Sequence, residues 1–266
     1  MTRATQPPLT FGSLFSGIGG IDLGFERAGM VCKWQVEIDP FCQRVLAKHW
    51  PNVARYSDVR EVGKHNLEPV DVICGGFPCQ DVSLAGERAG LEGKRSTLWT
   101  QYARIIGEIK PRWVLAENVP GLFTSDDGQF FGNILNDLAE IGYDAEWSIV
   151  SACSMGAPHT RERVLIVAHP IGKLGIDTRI RGIYGNTQNK GAEEGQRGAH
   201  RQFTSVGTET TAGLYSERAP WECEPRILRV VDGVPDRLDR LKSLGNAVVP
   251  QVAEWIARRI VEASQC

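Results

Sequence analysis

A thiol, a carboxylate and two guanidiniums recur in this chain at places where an apolar run gives way to a loop. Gly75-Gly76-Phe77-Pro78-Cys79-Gln80 puts a cysteine just past one such run, and Ala116-Glu117-Asn118-Val119-Pro120 puts an acid just past the next. A lone Pro-Cys is more often a buried turn than a nucleophile. At the carboxyl edge of an α/β sheet, where open sheets bind ligands, two neighbouring strand ends would turn this thiol and this acid toward one pocket. Arg161 and Arg163, which close Gly156-Ala157-Pro158-His159-Thr160-Arg161-Glu162-Arg163, point the same way if the segment is extended, and are otherwise ordinary surface charge. Thiolate addition and proton transfer are the chemistry such a set supports. Pairing of Cys79 with His159 would instead suggest a cysteine hydrolase, but no oxyanion motif or third orienting residue accompanies them.

A second group suits ligand binding. Phe15-Ser16-Gly17-Ile18-Gly19-Gly20 places three glycines between an apolar run and a helical one, where a ligand can approach the backbone closely. About twenty residues on, Glu37 and Ile38 end the next run, and the acid stands where nucleotide-binding α/β folds hold ribose hydroxyls. Asp58 and Val59 follow a third segment, with Asp58 placed to accept from an adenine amine. The spacing is not Gly-x-Gly-x-x-Gly, because Asp22 occupies the third glycine's place, and this disfavours a dinucleotide dehydrogenase. Leu244-Gly245-Asn246-Ala247-Val248-Val249-Pro250 is either an ordinary helix cap or a polar turn beside the same site.

The elements that must position these residues alternate. Leu9–Phe15, Val31–Val36, Val70–Cys74, Trp113–Ala116 and Val164–Ala168 are strand-like, while Ile21–Ala28, Phe41–Lys48, Thr97–Ile109 and Phe130–Ile141 carry apolar residues at helical spacing, which predicts a layered α/β fold with a parallel sheet. From Ile171 to Gly213 the composition turns Gly-, Thr-, Arg- and Asn-rich, and Lys173, Arg179, Arg181, Lys190, Arg197 and Arg201 outnumber the acids. This segment is either a loose surface excursion or a small basic recognition region. A last helix, with Val252, Trp255, Ile256 and Ile260 on one side, rejoins the first domain. The predicted division is 1–168, 169–240 and 241–266.

The totals exclude several classes. A net charge of −2 argues against a protein that coats nucleic acid, so any such contact must come from a local basic face. Seven scattered cysteines match neither a disulfide framework nor a zinc site, and no metal is expected. With no membrane-spanning run and no signal-like N-terminus, a cytoplasmic protein follows.

In this order, Phe-x-Gly-x-Gly-Gly, the acid of Val36-Glu37-Ile38-Asp39, Pro78-Cys79-Gln80, Glu117-Asn118-Val119, Arg161-x-Arg163 and Gly245-Asn246-Ala247-Val248 resemble the cytosine-5 DNA methyltransferase family, over roughly 190 of the 266 residues. The resemblance implies a Rossmann-like S-adenosylmethionine-dependent sheet with a small inserted target-recognition domain. It implies methyl transfer from S-adenosylmethionine to C5 of a cytosine flipped out of double-stranded DNA, through a covalent adduct of Cys79 at C6. It assigns Glu117 to N3 and the exocyclic amine, Arg163 to O2, with Arg161 beside it, and Asn118 to the loop beneath. The cofactor would lie over Phe15, Ser16, Gly17, Ile18, Gly19 and Gly20, with Glu37, Ile38, Asp58, Val59, Pro78, Asn246 and Val248 around it. The polar, glycine-rich stretch from Gln80 to Arg95 reads either as a lid, with Gln80, Ser83 and Arg95 toward DNA, or as an ordinary loop, and Arg179, Arg181 and Arg201 of the insert would add basic contacts. A monomer in a bacterial or phage-infected cell completes the expectation, with either a cognate restriction endonuclease as partner or a phage's use of the chain for protection left open. The chain departs from the family in having His159 where many members have Gln, a partial match over 221–236, and an insert of only about 70 residues. Transfer RNA methylation by the same fold and a non-catalytic DNA-binding relative stay open as alternatives.

Overall fold

A computed structural model describes residues 7–78, 97–172 and 236–265. Cys79, Gln80, Ser83, Arg95, Arg179, Arg181 and Arg201, with the expected lid and nearly all of the insert, lie outside the described residues.

Among the described residues, seven strands form one sheet. The chain runs β1 (Thr10–Leu14), α1 (Gly20–Arg27), β2 (Val31–Val36), α2 (Pro40–His49), β3 (Ala54–Tyr56), β4 (Val72–Gly76), α3 (Thr97–Ile109), β5 (Trp113–Asn118), α4 (Gln129–Glu140), β6 (Tyr143–Ser151), β7 (Glu162–Pro170), α5 (Arg237–Asn246) and α6 (Pro250–Ser264). The order across the sheet is β3-β2-β1-β4-β5-β7-β6. The first five are parallel neighbours, whereas β7 runs antiparallel to both β5 and β6. The all-parallel expectation is therefore corrected at this edge. Only residues 152–161, partly a 3-10 turn, join β6 to β7, too few for a crossover helix, so the chain returns antiparallel.

Alternate residues of the central strands feed two apolar layers. Leu14, Trp34, Ile73, Val114 and Ile166 face Tyr102, Ile105 and Ile106 of α3 and Ile134 and Leu138 of α4. Phe11, Val72, Leu115 and Leu165 face Phe25 of α1 and Val252, Trp255, Ile256 and Ile260 of α6. Every residue of β5 is buried, as expected of a strand covered on both faces. Each large side chain of α6 removed from water contributes about 1.5–3 kcal/mol, which seats this helix against α1 and the sheet.

β6 is a strand that the apolar-run criterion passes over, because Asp144, Glu146 and Ser148 interrupt it. Tyr143, Ala145, Trp147 and Ile149 do alternate, a period-two signal suited to a sheet's outer strand. At the C-terminus there are two helices, separated where Ala247 to Val249 turn extended and Pro250 opens α6.

Candidate active site

The carboxyl ends of β1, β2, β4 and β5 converge on a cavity of about 590 Å³. Its floor begins where β1 ends. Phe15 turns the chain with φ +52°, a left-handed conformation that costs a non-glycine residue about 1 kcal/mol or more. Ser16 then donates its backbone N–H to the Val36 carbonyl at 3.1 Å, and its hydroxyl donates to the Ser13 carbonyl at 3.1 Å. Glu37, at the end of β2, accepts the Gly17 N–H on one carboxylate oxygen at 2.7 Å and the Asp39 N–H on the other at 2.8 Å. A negative group is thus fixed beside the glycine turn by the backbone itself.

Gly20 opens α1 against the second polar turn. A Cβ on Gly20 would lie 2.4 Å from the Val248 carbonyl oxygen, so no larger residue fits without moving the Gly245 to Val248 segment. Across the cavity, the Asp58 carboxylate accepts from Arg60, Nε to Oδ1 at 2.9 Å and Nη2 to Oδ2 at 2.6 Å, and also from the Arg60 backbone N–H. Asp39 caps α2 by accepting the Phe41 N–H at 2.8 Å, and its other oxygen accepts from Lys242 of α5 at 3.2 Å. Phe15, Ser16, Gly17, Gly20, Glu37, Ile38, Asp58, Val59, Pro78, Asn246 and Val248 all line this cavity. Ile18 and Gly19 do not; they line a separate cavity behind the turn, shared with Trp50, His159 and Arg161. The turn has two sides, and these residues take the far one.

Glu117 ends β5 in the same cavity, 6% exposed. Arg163 of β7 reaches it, Nε to Oε1 at 2.7 Å, because β7 is β5's antiparallel neighbour. Burial pushes the Glu117 carboxyl up to about 7, even though Arg163 and Arg161 both pull it down. At neutral pH this acid is therefore poised between donor and acceptor. Gly76, on β4 beside it, leaves room for the carboxylate: a Cβ there would sit 2.4 Å from Glu117 Oε2 and displace it. Asn118 donates from Nδ2 to the Phe77 carbonyl at 3.0 Å and accepts the Val119 N–H at 2.8 Å. Below, the Phe77 ring packs on Trp99, Tyr102 and Phe130, with centroids 5.0 to 6.4 Å away. Asn118 and this aromatic cluster hold the chain as it reaches Pro78, the residue before Cys79.

The paired arginines divide. Arg163 serves the acid, whereas Arg161 reaches the Gly245 carbonyl and donates to the Ala247 carbonyl at 2.9 Å, tying the polar turn to the start of β7. Arg161 lines the cavity behind the turn, so the structure places it with the turn and apart from Glu117's cavity. Lys242, Ser243, Cys42, Ser57 and Arg60 also line the front cavity and were not anticipated. Ser57 and Arg60 flank Asp58, and Lys242 and Ser243 precede Gly245, so adjacency to a motif was the available signal. Among the described residues no cluster of His, Cys, Asp and Glu is arranged to hold a metal ion.

This α/β fold is shared with solved Rossmann-like methyltransferases. The chain matches the family described as C-5 cytosine-specific DNA methylase over residues 9–193, and it belongs to that family. Type II methyltransferase M2.BsuMI of Bacillus subtilis is 37% identical over 160 residues, covering 59% of this chain and 41% of the relative. Type II methyltransferase M.Eco47II of Escherichia coli is 39% identical over 171 residues, covering 63% and 41%. The chain thus spans about two-fifths of the length of the curated relatives it matches. Among solved structures, a protein described as a candidate DNA modification methyltransferase, encoded within an E. coli prophage, is 30% identical with a TM-score of 0.54, covering 65% of this chain and 50% of that one. The Entamoeba histolytica methyltransferase EhMeth, 16% identical, shares the fold with a TM-score of 0.61 over 97% of this chain and 99% of its own.

Proposed function

We propose that the chain methylates C5 of cytosine in double-stranded DNA, with S-adenosylmethionine as donor and Cys79 as nucleophile. The observation that carries this is the pairing of buried Glu117 with partly buried Arg163, opening into the cavity that also holds Glu37, the glycine turn and Pro78. An acid with its proton available at neutral pH and a thiol one residue beyond the cavity lining suit addition across a pyrimidine ring.

The donor fits the chain's own groups. The Gly17 and Gly20 backbones bear no side chain that would fill the cavity, Glu37 offers a carboxylate for ribose hydroxyls, and Asp58 offers one for an amine. When bound, S-adenosylmethionine supplies an electrophilic methyl group. Cytosine C5 is too weak a nucleophile alone, so the Cys79 thiolate adds to C6 and the electron pair moves toward N3. Glu117 gives or shares its proton there, which relieves the developing charge. C5 then takes the methyl group, loses its proton, and the thiolate leaves as the ring double bond re-forms. Arg163 holds Glu117 in place and keeps positive charge beside the ring. Arg161 and Asn118 shape the two loops rather than the base contacts. Addition at C6 needs the ring face exposed, so the base enters flipped out of the duplex.

The insert at 169–240 is the segment for target recognition, and the relatives' Type II designation supports pairing with a restriction endonuclease. Tritium transfer from labelled S-adenosylmethionine to duplex DNA and to transfer RNA tests the reading: label in DNA, lost in Cys79→Ser, supports it. Label confined to transfer RNA would reassign the substrate, and transfer by Cys79→Ser would remove the covalent step. A 5-fluorocytosine duplex carrying the methylated site should trap the wild-type chain covalently.

A further inference from the structure

Behind the cofactor turn, three elements meet at a single buried acid. Asp22 stands in the first turn of α1, fully buried and absent from the cavity lining. Its Oδ2 accepts from the Ser13 hydroxyl at 3.1 Å, and its Oδ1 accepts from Gln35 Nε2 at 2.8 Å. Ser13 and Gln35 are also fully buried, and they are register partners across β1 and β2. Each stands two residues before a group at the cavity: Ser13 before Phe15, Gln35 before Glu37.

We infer that Asp22 is a positioning residue for the cofactor site, setting how the ends of β1 and β2 and the start of α1 meet so that Glu37 receives the Gly17 N–H. This rests on the function proposed above. Burying an acid here is costly: desolvation pushes Asp22 up to about 6, with Glu26 adding to the push against the hydrogen bonds of Gln35 and Ser13. A hydrophobic residue of similar size would fill the space but could not take both donors. The Cys32 thiol, 3.9 Å away, adds only a weak contact. Gln35 Oε1 is buried without a hydrogen-bond partner, so the amide's orientation is set by what Asp22 accepts.

The polarity of this link can be reversed. Gln35→Glu sets two acids against each other and Asp22→Ala removes the acceptor, whereas Asp22→Asn with Gln35→Glu lets an amide donate to a carboxylate at the same place. On the full chain, with sheared DNA from a methylation-free host as substrate, Asp22→Ala and Gln35→Glu should raise KM for S-adenosylmethionine at least tenfold while kcat stays within threefold. The double variant should return KM to within threefold of wild type. In the ligand-free chain, hydrogen exchange of the peptide carrying Gly17 should quicken at least tenfold in both single variants, with peptides from β5 and α6 unchanged. Exchange and KM both unchanged in the single variants would overturn the inference while leaving the methyltransferase reading intact. Faster exchange spread evenly over all peptides, or no recovery in the double variant, would also overturn it, because Asp22 would then be a general stabiliser. If the wild type transfers no methyl group but the localised exchange result holds, the functional reading fails and the positioning role of Asp22 stands.

Discussion

Replacing Arg163 by Met keeps the unbranched apolar stem of the side chain but removes the guanidinium and its charge from the Glu117 pair. In the wild type, Glu117 titrates near 7 when folded against about 4.5 when exposed. Its folded value is raised, so this acid's contribution to stability is full below about pH 4.5 and falls as pH rises toward 7; a tenfold change in proton affinity corresponds to about 1.4 kcal/mol. Without Arg163 the folded value moves higher still, and the fall continues above pH 7. Near pH 6 both proteins hold Glu117 protonated, and the variant loses little beyond one hydrogen bond, about 1 kcal/mol. Between pH 7 and pH 9 this continued fall adds up to about 3 kcal/mol, bringing the deficit into the range typical of a buried charge left without its partner. Urea unfolding of both proteins at pH 6, 7, 8 and 9 measures this directly, since titrations common to the two cancel. A deficit that is constant over that range, or that shrinks as pH rises, would refute the proposed control of Glu117 by Arg163.

Three further outcomes are expected. Gly20→Ala forces a methyl group to 2.4 Å from the Val248 carbonyl, so the Gly245 to Val248 turn must shift; calorimetry should show S-adenosylmethionine affinity reduced at least tenfold with the fold retained by circular dichroism. Glu37→Ala frees the Gly17 and Asp39 N–H groups and removes the carboxylate, and should weaken cofactor affinity more than DNA affinity in titrations of each. Asn118→Ala leaves the Phe77 carbonyl without its donor, costing about 1–3 kcal/mol in thermal or urea unfolding, and should lower kcat with little change in cofactor affinity.

The glycine-turn half of the candidate site was legible because its pieces are local. Phe15 to Gly20 is one strand-to-helix turn, Glu37 ends the strand beside it, and glycine at position 20 answers a close approach that glycine alone permits. Central strands such as β5 announce themselves as unbroken apolar runs because both faces are covered. What escaped was pairing across the sheet. β6 alternates with polar residues, and the antiparallel seating of β7 follows from a connection too short for a helix, a constraint that matters only once β5 and β6 are known neighbours of β7.

That seating decides what the two arginines do. Residues two apart on an extended segment face the same side, and their sequence neighbourhood treats Arg161 and Arg163 alike. β7 pairs with β5, however, so Arg163 is a strand residue within reach of Glu117, whereas Arg161 lies before the strand begins, where the turn after α5 passes. Arg163 therefore pairs directly with the acid, whereas Arg161 acts on it only at longer range and holds the loop that lines the glycine-turn cavity. The pair couples the halves of the site: a shift of the start of β7 moves Arg161 with the Val248 turn and Arg163 with Glu117. The same buried-charge argument then predicts different leading signatures for the two substitutions. Loss of Arg163 should appear chiefly as pH-dependent stability, and loss of Arg161 chiefly as weaker cofactor binding, with a smaller pH-dependent stability change of the same sign.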